Sequence, residues 1–231
     1  MKVLFWDIDG TLLQAGKAGL FAFDEAVREI YGQTIDYASI KTSGMTDNYI
    51  AEQIIEKIER RRALPFEVMR LTMRYEQLLP HYLTIKEGYV LPGVAEMLAE
   101  LHTHDDYVQL ILTVNSRRGG EEKLKYYGLD SFFDLDHSAF GDDCIDRNEI
   151  SAKARRIVHD VYPSVTADEI YVIGDTPNDV RCGKAIGART IAVASGRFSF
   201  EELARCMPWW AMEKLAEPKE FLAMIEKKQK M

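Results

Sequence analysis

The chain has 231 residues, 47% of them hydrophobic and 29% charged, with a formal net charge of −8. That composition excludes a disordered or low-complexity chain and suffices for the buried core of one or two domains. The acidic balance argues against nucleic acid and anionic membranes as partners, because nothing offsets a polyanion at long range, yet it leaves room for a small anion at a local positive site. No apolar run approaches the roughly 18 residues of a membrane span. Met1-Lys2 leads straight into the first apolar segment, with nothing like a secretory leader. Cys144, Cys182 and Cys206 are widely spaced with no C-x-x-C, so they read as reduced thiols and the expected location is cytoplasmic.

In chain order, Val3–Trp6 reads as a buried strand running into the loop Asp7-Ile8-Asp9-Gly10-Thr11. Helical spacing follows in Leu20, Phe23, Val27, Ile30 and Tyr31, with Gly32 as a stop. Thr46 is placed to cap a helix carrying Ile50, Ile54 and Ile58, and Pro65 to open a third with Val68, Leu71, Tyr75, Leu78 and Tyr82 on one face. From Leu91-Pro92-Gly93 the pattern changes to alternating strands and helices. The predicted strands are Val108–Leu112, a short one near Ser138–Phe140, Ile170–Ile173 and Thr190–Val193, with helices between them. Ser199-Phe200-Glu201-Glu202 is a capping box, and Pro218 starts the last helix. Such alternation implies an α/β fold: a Rossmann-like, three-layer parallel sheet with helices on both faces. The first strand is separated from the rest by the helical stretch. The economical division is therefore a core of residues 1–14 and 86–231 with an inserted helical block, 15–85. Arg60-Arg61-Arg62 reads as a solvated helix end, His102-Thr103-His104 as a surface turn, and Trp209-Trp210 as packing. Asp142, Asp143 and Asp146 read as loop solvation.

Three polar clusters stand at the C-terminal ends of predicted strands, the edge where open α/β sheets bind ligands. They are Asp7-Ile8-Asp9-Gly10-Thr11, then Thr113-Val114-Asn115, then Gly174-Asp175-Thr176-Pro177-Asn178-Asp179. Four carboxylates crowded on one edge repel one another. Oxygen donors without nearby His or Cys favour a hard divalent cation, Mg²⁺, over zinc or copper.

These segments resemble the haloacid dehalogenase superfamily. Asp7-Ile8-Asp9-Gly10-Thr11-Leu12 resembles its D-x-D-G-T-[LV] motif, Thr113 its strand-terminal Thr or Ser, and Gly174–Asp179 its G-D-x-x-x-D. The helical insertion resembles the cap of the phosphoglycolate phosphatase/β-phosphoglucomutase branch. The resemblance implies a Mg²⁺-dependent phosphomonoester hydrolase acting on a small phosphorylated metabolite, such as phosphoglycolate or a sugar phosphate. Its near rival is a phosphomutase; a non-catalytic regulatory protein on the same fold is the alternative outside enzymology. By the same resemblance Asp7 is the nucleophile and Asp9 the acid and base. The metal is held by Asp7, the Asp9 carbonyl and Asp175, with Asp179 as ligand or its support. Gly10, Thr113, Val114 and Asn115 hold phosphate oxygens.

Asp7, Asp175 and a phosphate dianion carry about −4, so a divalent cation leaves about −2 and at least one protein cation is required. Arg147 and Lys153 are the candidates from the family pattern, Arg147 being favoured. Substrate choice is expected from the insertion, with Lys17, Thr42, Ser43, Gly44, Met45 and Thr46 as lining residues. Many close relatives carry Gly where this chain has Val114, so the loop there is expected to be extended rather than left-handed. The sequence suits a monomer and a homodimer equally.

Overall fold

A computed structural model describes residues 1–227 other than 43, 143, 145 and 146, and gives the backbone only at 147, 148 and 227. Strand β1 (Lys2–Trp6) is followed by β2 (Leu13–Gln14) and by three helices, α1 (Ala18–Tyr31), α2 (Asp47–Glu59) and α3 (Pro65–Ile85). The chain returns through β3 (Tyr89–Val90), which pairs antiparallel with β2, so the two crossings into the helical block form one short ribbon. Then follow α4 (Val94–His102), β4 (Tyr107–Ile111), α5 (Arg117–Tyr126), α6 (Arg147–Val161), β5 (Ile170–Gly174) and α7 (Pro177–Ala185). The chain finishes with β6 (Arg189–Val193), α8 (Phe200–Arg205), β7 (Trp210–Met212) and α9 (Pro218–Lys227).

The main sheet has the order β4-β1-β5-β6-β7, and every adjacent pair is parallel. Strand β1 lies inside it, with Phe5 opposite Leu110 on one side and Val172 on the other. Val3–Trp6 are completely buried, as a parallel strand covered on both faces must be. The pleat sends Leu4 and Trp6 to one face, with Leu98, Leu101 and Phe221, and Val3 and Phe5 to the other, with Ile150, Ala154 and Val158. These are the three layers.

The inserted helices share the first of these cores. Phe23 of α1 stacks on Tyr75 of α3 with ring centroids 4.0 Å apart, and Ile54, Leu71 and Leu79 are closed over them. Local signals explain the boundaries. Gly32 ends α1 with φ 65°, Thr46 Oγ1 accepts from Tyr49 N–H to cap α2, and Pro65 sits at the start of α3.

Two expectations change. The strand near Ser138–Phe140 is a single parallel bridge, Leu112 to Ala139, because only Ala139 finds a partner at the ladder's end. The edge strand β7 was not foreseen, since three residues are too short to show an alternating pattern. Trp210 within it packs on Phe221 at 5.9 Å, and Trp209 meets Tyr171 edge-on at 5.6 Å, so the tryptophan pair does serve packing.

Candidate active site

The strand order β4-β1-β5 sets the three polar clusters side by side on one edge. Asp7 N–H continues the ladder to the Ile173 carbonyl (3.0 Å), and Leu112 N–H continues it to that of Trp6 (2.9 Å). The carboxylates therefore leave the sheet at one level. Asp7, Asp175 and Asp179 are buried, and each offers an oxygen within 4.8 Å of the others.

The loop after β1 is wound tightly. Three successive N–H groups, those of Thr11, Leu12 and Leu13, point at the Ile8 carbonyl, and Gly10 N–H returns to Leu13 O. Gly10 sits at φ 91°, and a Cβ there would lie 2.5 Å from an Asp175 oxygen. A side chain is thus excluded twice over, by backbone conformation and by space. Thr11 Oγ1 donates to Asp175 Oδ1 at 3.2 Å. Asp179 Oδ2 accepts from the N–H and the hydroxyl of Thr176, so the same carboxylate that joins the acidic group also fixes the start of α7.

Burial and the nearby Asp179 carboxylate raise the Asp175 pKa above the ordinary carboxylate range. A buried all-oxygen group whose charges oppose one another is a fitting seat for Mg²⁺, and Asp7, Asp175 and Asp179 would hold it.

Asp9 is handled differently. Its side chain is 43% exposed, and its Oδ2 accepts from Lys123 Nζ at 2.6 Å and from Asn115 Nδ2 at 2.8 Å. Lys123 Nζ also donates to Asn115 Oδ1 at 2.7 Å, and Asn115 Nδ2 donates to Thr113 Oγ1 at 2.9 Å. Lys123 is buried, so these partners are what keep its charge tolerable. It stands two turns into α5 on the face of the capping residue Ser116, and its stem leans back toward the helix start.

The expected cations fare unequally. Lys153 Nζ donates to the carbonyls of Asp142 (2.6 Å) and Phe140 (3.4 Å), and Lys153 is not among the residues lining the cavity. Two carbonyls of the segment before α6 thus hold this ammonium. The Arg147 side chain, Ser43, Asp143 and Asp146 lie outside the described residues. Among the described residues, Lys123 supplies the buried positive charge, and the family pattern did not point to it. Asp142 is more than loop solvation, because its Oδ1 accepts from Arg117 N–H at 2.7 Å and completes the start of α5.

A cavity of about 350 Å³ opens beside the carboxylates. Asp7, Asp9, Gly10, Val114, Asn115, Lys123 and Asp175 form its core side, while Lys17, Thr42, Gly44 and Met45 come from the insertion. Thr46 does not line it; its hydroxyl is taken by the α2 cap. Val114 has no positive φ and packs against the second core, as an extended loop requires. Deeper under the insertion lie Phe23, Ile50, Tyr75 and Asp47. Asp47 Oδ2 accepts from Ser116 N–H at 2.8 Å, tying the first residue of α2 to the start of α5. Burial pushes the Asp47 carboxyl up to about 6.

Residues 3–193 match the model of the haloacid dehalogenase-like hydrolase family. The pyrophosphatase PpaX of Listeria innocua is 24% identical, over 94% of this chain and 94% of its own length. A phosphoglycolate phosphatase of Vibrio cholerae is 21% identical, over 90% and 91%. The crystal structure of CbbY from Rhodobacter sphaeroides in complex with phosphate superposes with a TM-score of 0.66, over 86% of this chain and 87% of that one, at 18% identity, which speaks for the fold. With the matched span running from β1 through β6 and the carboxylates gathered on the shared edge, the chain belongs to the haloacid dehalogenase-like hydrolase family.

Proposed function

We propose that the protein hydrolyses the phosphomonoester of a small phosphorylated metabolite with Mg²⁺, through an aspartyl-phosphate on Asp7. The observation that carries this reading is the division of labour among the carboxylates. Asp7, Asp175 and Asp179 are buried together, whereas Asp9 is half-exposed and held by Lys123 and Asn115.

Asp7 attacks phosphorus, splitting one difficult displacement into two. With Asp9 protonated when substrate binds, the ester P–O bond breaks as Asp9 gives that proton to the leaving oxygen, and Asp9 regains a proton from the water that then displaces phosphate from Asp7. Lys123, reaching Asp9 and Asn115, sets the position of the acid and adds positive charge where phosphoryl oxygens gather. Thr113 holds Asn115, and Gly10 lets the loop approach Asp175. Mg²⁺ supplies charge neutralisation for the phosphoryl group. Residues 15–85 serve as the cap over this site, and Lys17, Thr42 and Gly44 face the leaving group.

The decisive experiment is release of inorganic phosphate from a panel of small phosphate esters, with and without Mg²⁺. Phosphoglycolate, pyrophosphate and sugar phosphates belong in it, since two relatives are named for the first two. Magnesium-dependent release is expected. Retention of the phosphoryl group with isomerisation of a sugar phosphate would instead mean a mutase.

Metal affinity should also depend on pH. Asp175 and Asp47 both have raised folded-state pKa values, so between about pH 4 and their folded values the native protein holds more protons than the unfolded chain. Metal-free stability should therefore fall as pH rises through that window. Magnesium has to displace the Asp175 proton, so its stabilising effect should grow with pH. At about 100 times its dissociation constant the ion adds about 3 kcal/mol, roughly 5–10 °C in a protein of this size. Thermal melts at pH 5.5 and pH 8 should show the larger magnesium shift at pH 8; equal shifts would contradict the site.

A further inference from the structure

The loop after β6 carries a residue that the reaction above does not use. Ser195 Oγ donates to the Gly10 carbonyl at 2.7 Å, pinning this loop to the turn beside Asp7. Gly196 lies so close to Asp175 that a Cβ on it would sit 1.7 Å from Oδ2. The next residue, Arg197, is exposed and lines the catalytic cavity from this fixed base.

Arg197 also lines a second cavity, of about 530 Å³, that shares Thr42, Gly44 and Thr176 with the first. Lys41 and Arg181 stand on its walls, and no carboxylate lines it among the described residues. In a chain of net charge −8 that is a local reversal of sign. Its walls are tied together across the cleft. Asn178 Nδ2 crosses it to the Gly44 carbonyl at 3.3 Å, and within α7 Arg181 donates to Asn178 Oδ1. The other end of the catalytic cavity has the opposite character, with Phe23, Ile50 and Tyr75 around the buried Asp47 carboxyl. An anionic group on a leaving group would lose its water against those apolar walls, whereas Arg197 offers it a countercharge.

We infer that Arg197, with Lys41 and Arg181 beyond it, forms a subsite for a second anionic group on the substrate's leaving side. The inference rests on the phosphoryl-transfer reading of the adjoining carboxylates. It narrows the substrates to phosphate esters or anhydrides whose leaving group carries its own carboxylate or phosphate, as against neutral sugars. A guanidinium suits either group, because its planar fork meets two oxygens at once.

Binding of non-hydrolysable ligands tests this separately from turnover. Methylphosphonate, phosphonoacetate and methylenediphosphonate would be titrated calorimetrically into the magnesium-loaded protein and its Arg197→Ala and Arg197→Lys variants. The native protein should prefer at least one ligand with two anionic groups over methylphosphonate by about tenfold, the size of one charge-assisted hydrogen bond. Arg197→Ala should lose that preference and Arg197→Lys should keep part of it. Magnesium chelation by the ligands is common to all three proteins, so the change among them reports Arg197. Whether phosphonoacetate or methylenediphosphonate binds better tells carboxylate from phosphate. A preference absent in the native protein, or unchanged in Arg197→Ala, overturns the subsite. If the preference is present but no ester yields phosphate, the subsite stands and the proposed reaction falls. Phosphate release without the preference means the reverse.

Discussion

Replacing Asp7 by Asn should leave a folded protein that releases phosphate at a rate lower by about 10⁴ or more, the scale of losing a covalent nucleophile. The amide is nearly isosteric, so positioning survives while attack on phosphorus does not. Two further readouts separate this from unfolding. Asp7 shares a buried cluster with Asp175 and Asp179, so removing one negative charge should raise the melting temperature without metal. The same change should shrink the magnesium shift at pH 8. A variant that kept full turnover would remove Asp7 from the chemistry, whatever its stability.

Lys123→Met should have the next largest effect, lowering kcat by about 10²–10³, as loss of one preorganised charge does. Methionine retains most of the buried stem's packing, and Asp9, being 43% exposed, can turn to water, so the cost in stability should stay small. A positioning role for Lys123 predicts that kcat falls far more than KM rises. Purely structural damage would instead lower the melting temperature in step with activity. Lys153→Met is the informative comparison. Its ammonium is engaged by the carbonyls of Asp142 and Phe140, so the change should be felt in the loop leading to α6 more than in turnover.

The contrast between these two lysines shows how much of the site was legible. Asp7, Asp9, Thr113 and Asp175 could be read because each lies just beyond a strand whose apolar run announces it, and Asp179 because it falls in the first turn of the helix that follows. Parallel pairing then guarantees that the ends share one edge. Lys123 has no such marker. It sits among Glu121, Glu122 and Lys125 in a charged stretch that reads as a solvated helix. Its one clue is spacing: seven residues after Ser116 is two turns, which returns it to the face of the helix start beside Asn115. Asp47 was hidden for a similar reason. It follows the capping Thr46, where an acidic residue is expected anyway, and only the tertiary contact with Ser116 gives it a partner in the core. Arg197 belongs to a loop whose course is set by Gly10 and Asp175, far away in sequence.

The fold itself was legible in outline because hydrophobic periodicity dominated, and it failed where elements were short. Ala139 contributes one bridge and β7 three residues, lengths at which a two-residue alternation cannot be told from chance.

The interior position of β1, with a partner on each side, bears on how the molecule comes to exist in a cell. Val3 pairs with Val108 and Ile170, so the strand that leads to Asp7 leaves the ribosome long before either neighbour. Meanwhile Leu4, Phe5 and Trp6 have no sheet to join, and the helices of 18–85 can form first from nearer contacts. The nascent chain thus carries a sticky, unpaired β-segment until on the order of 100 further residues have been made, which makes early chaperone engagement and slow final maturation natural companions of this topology.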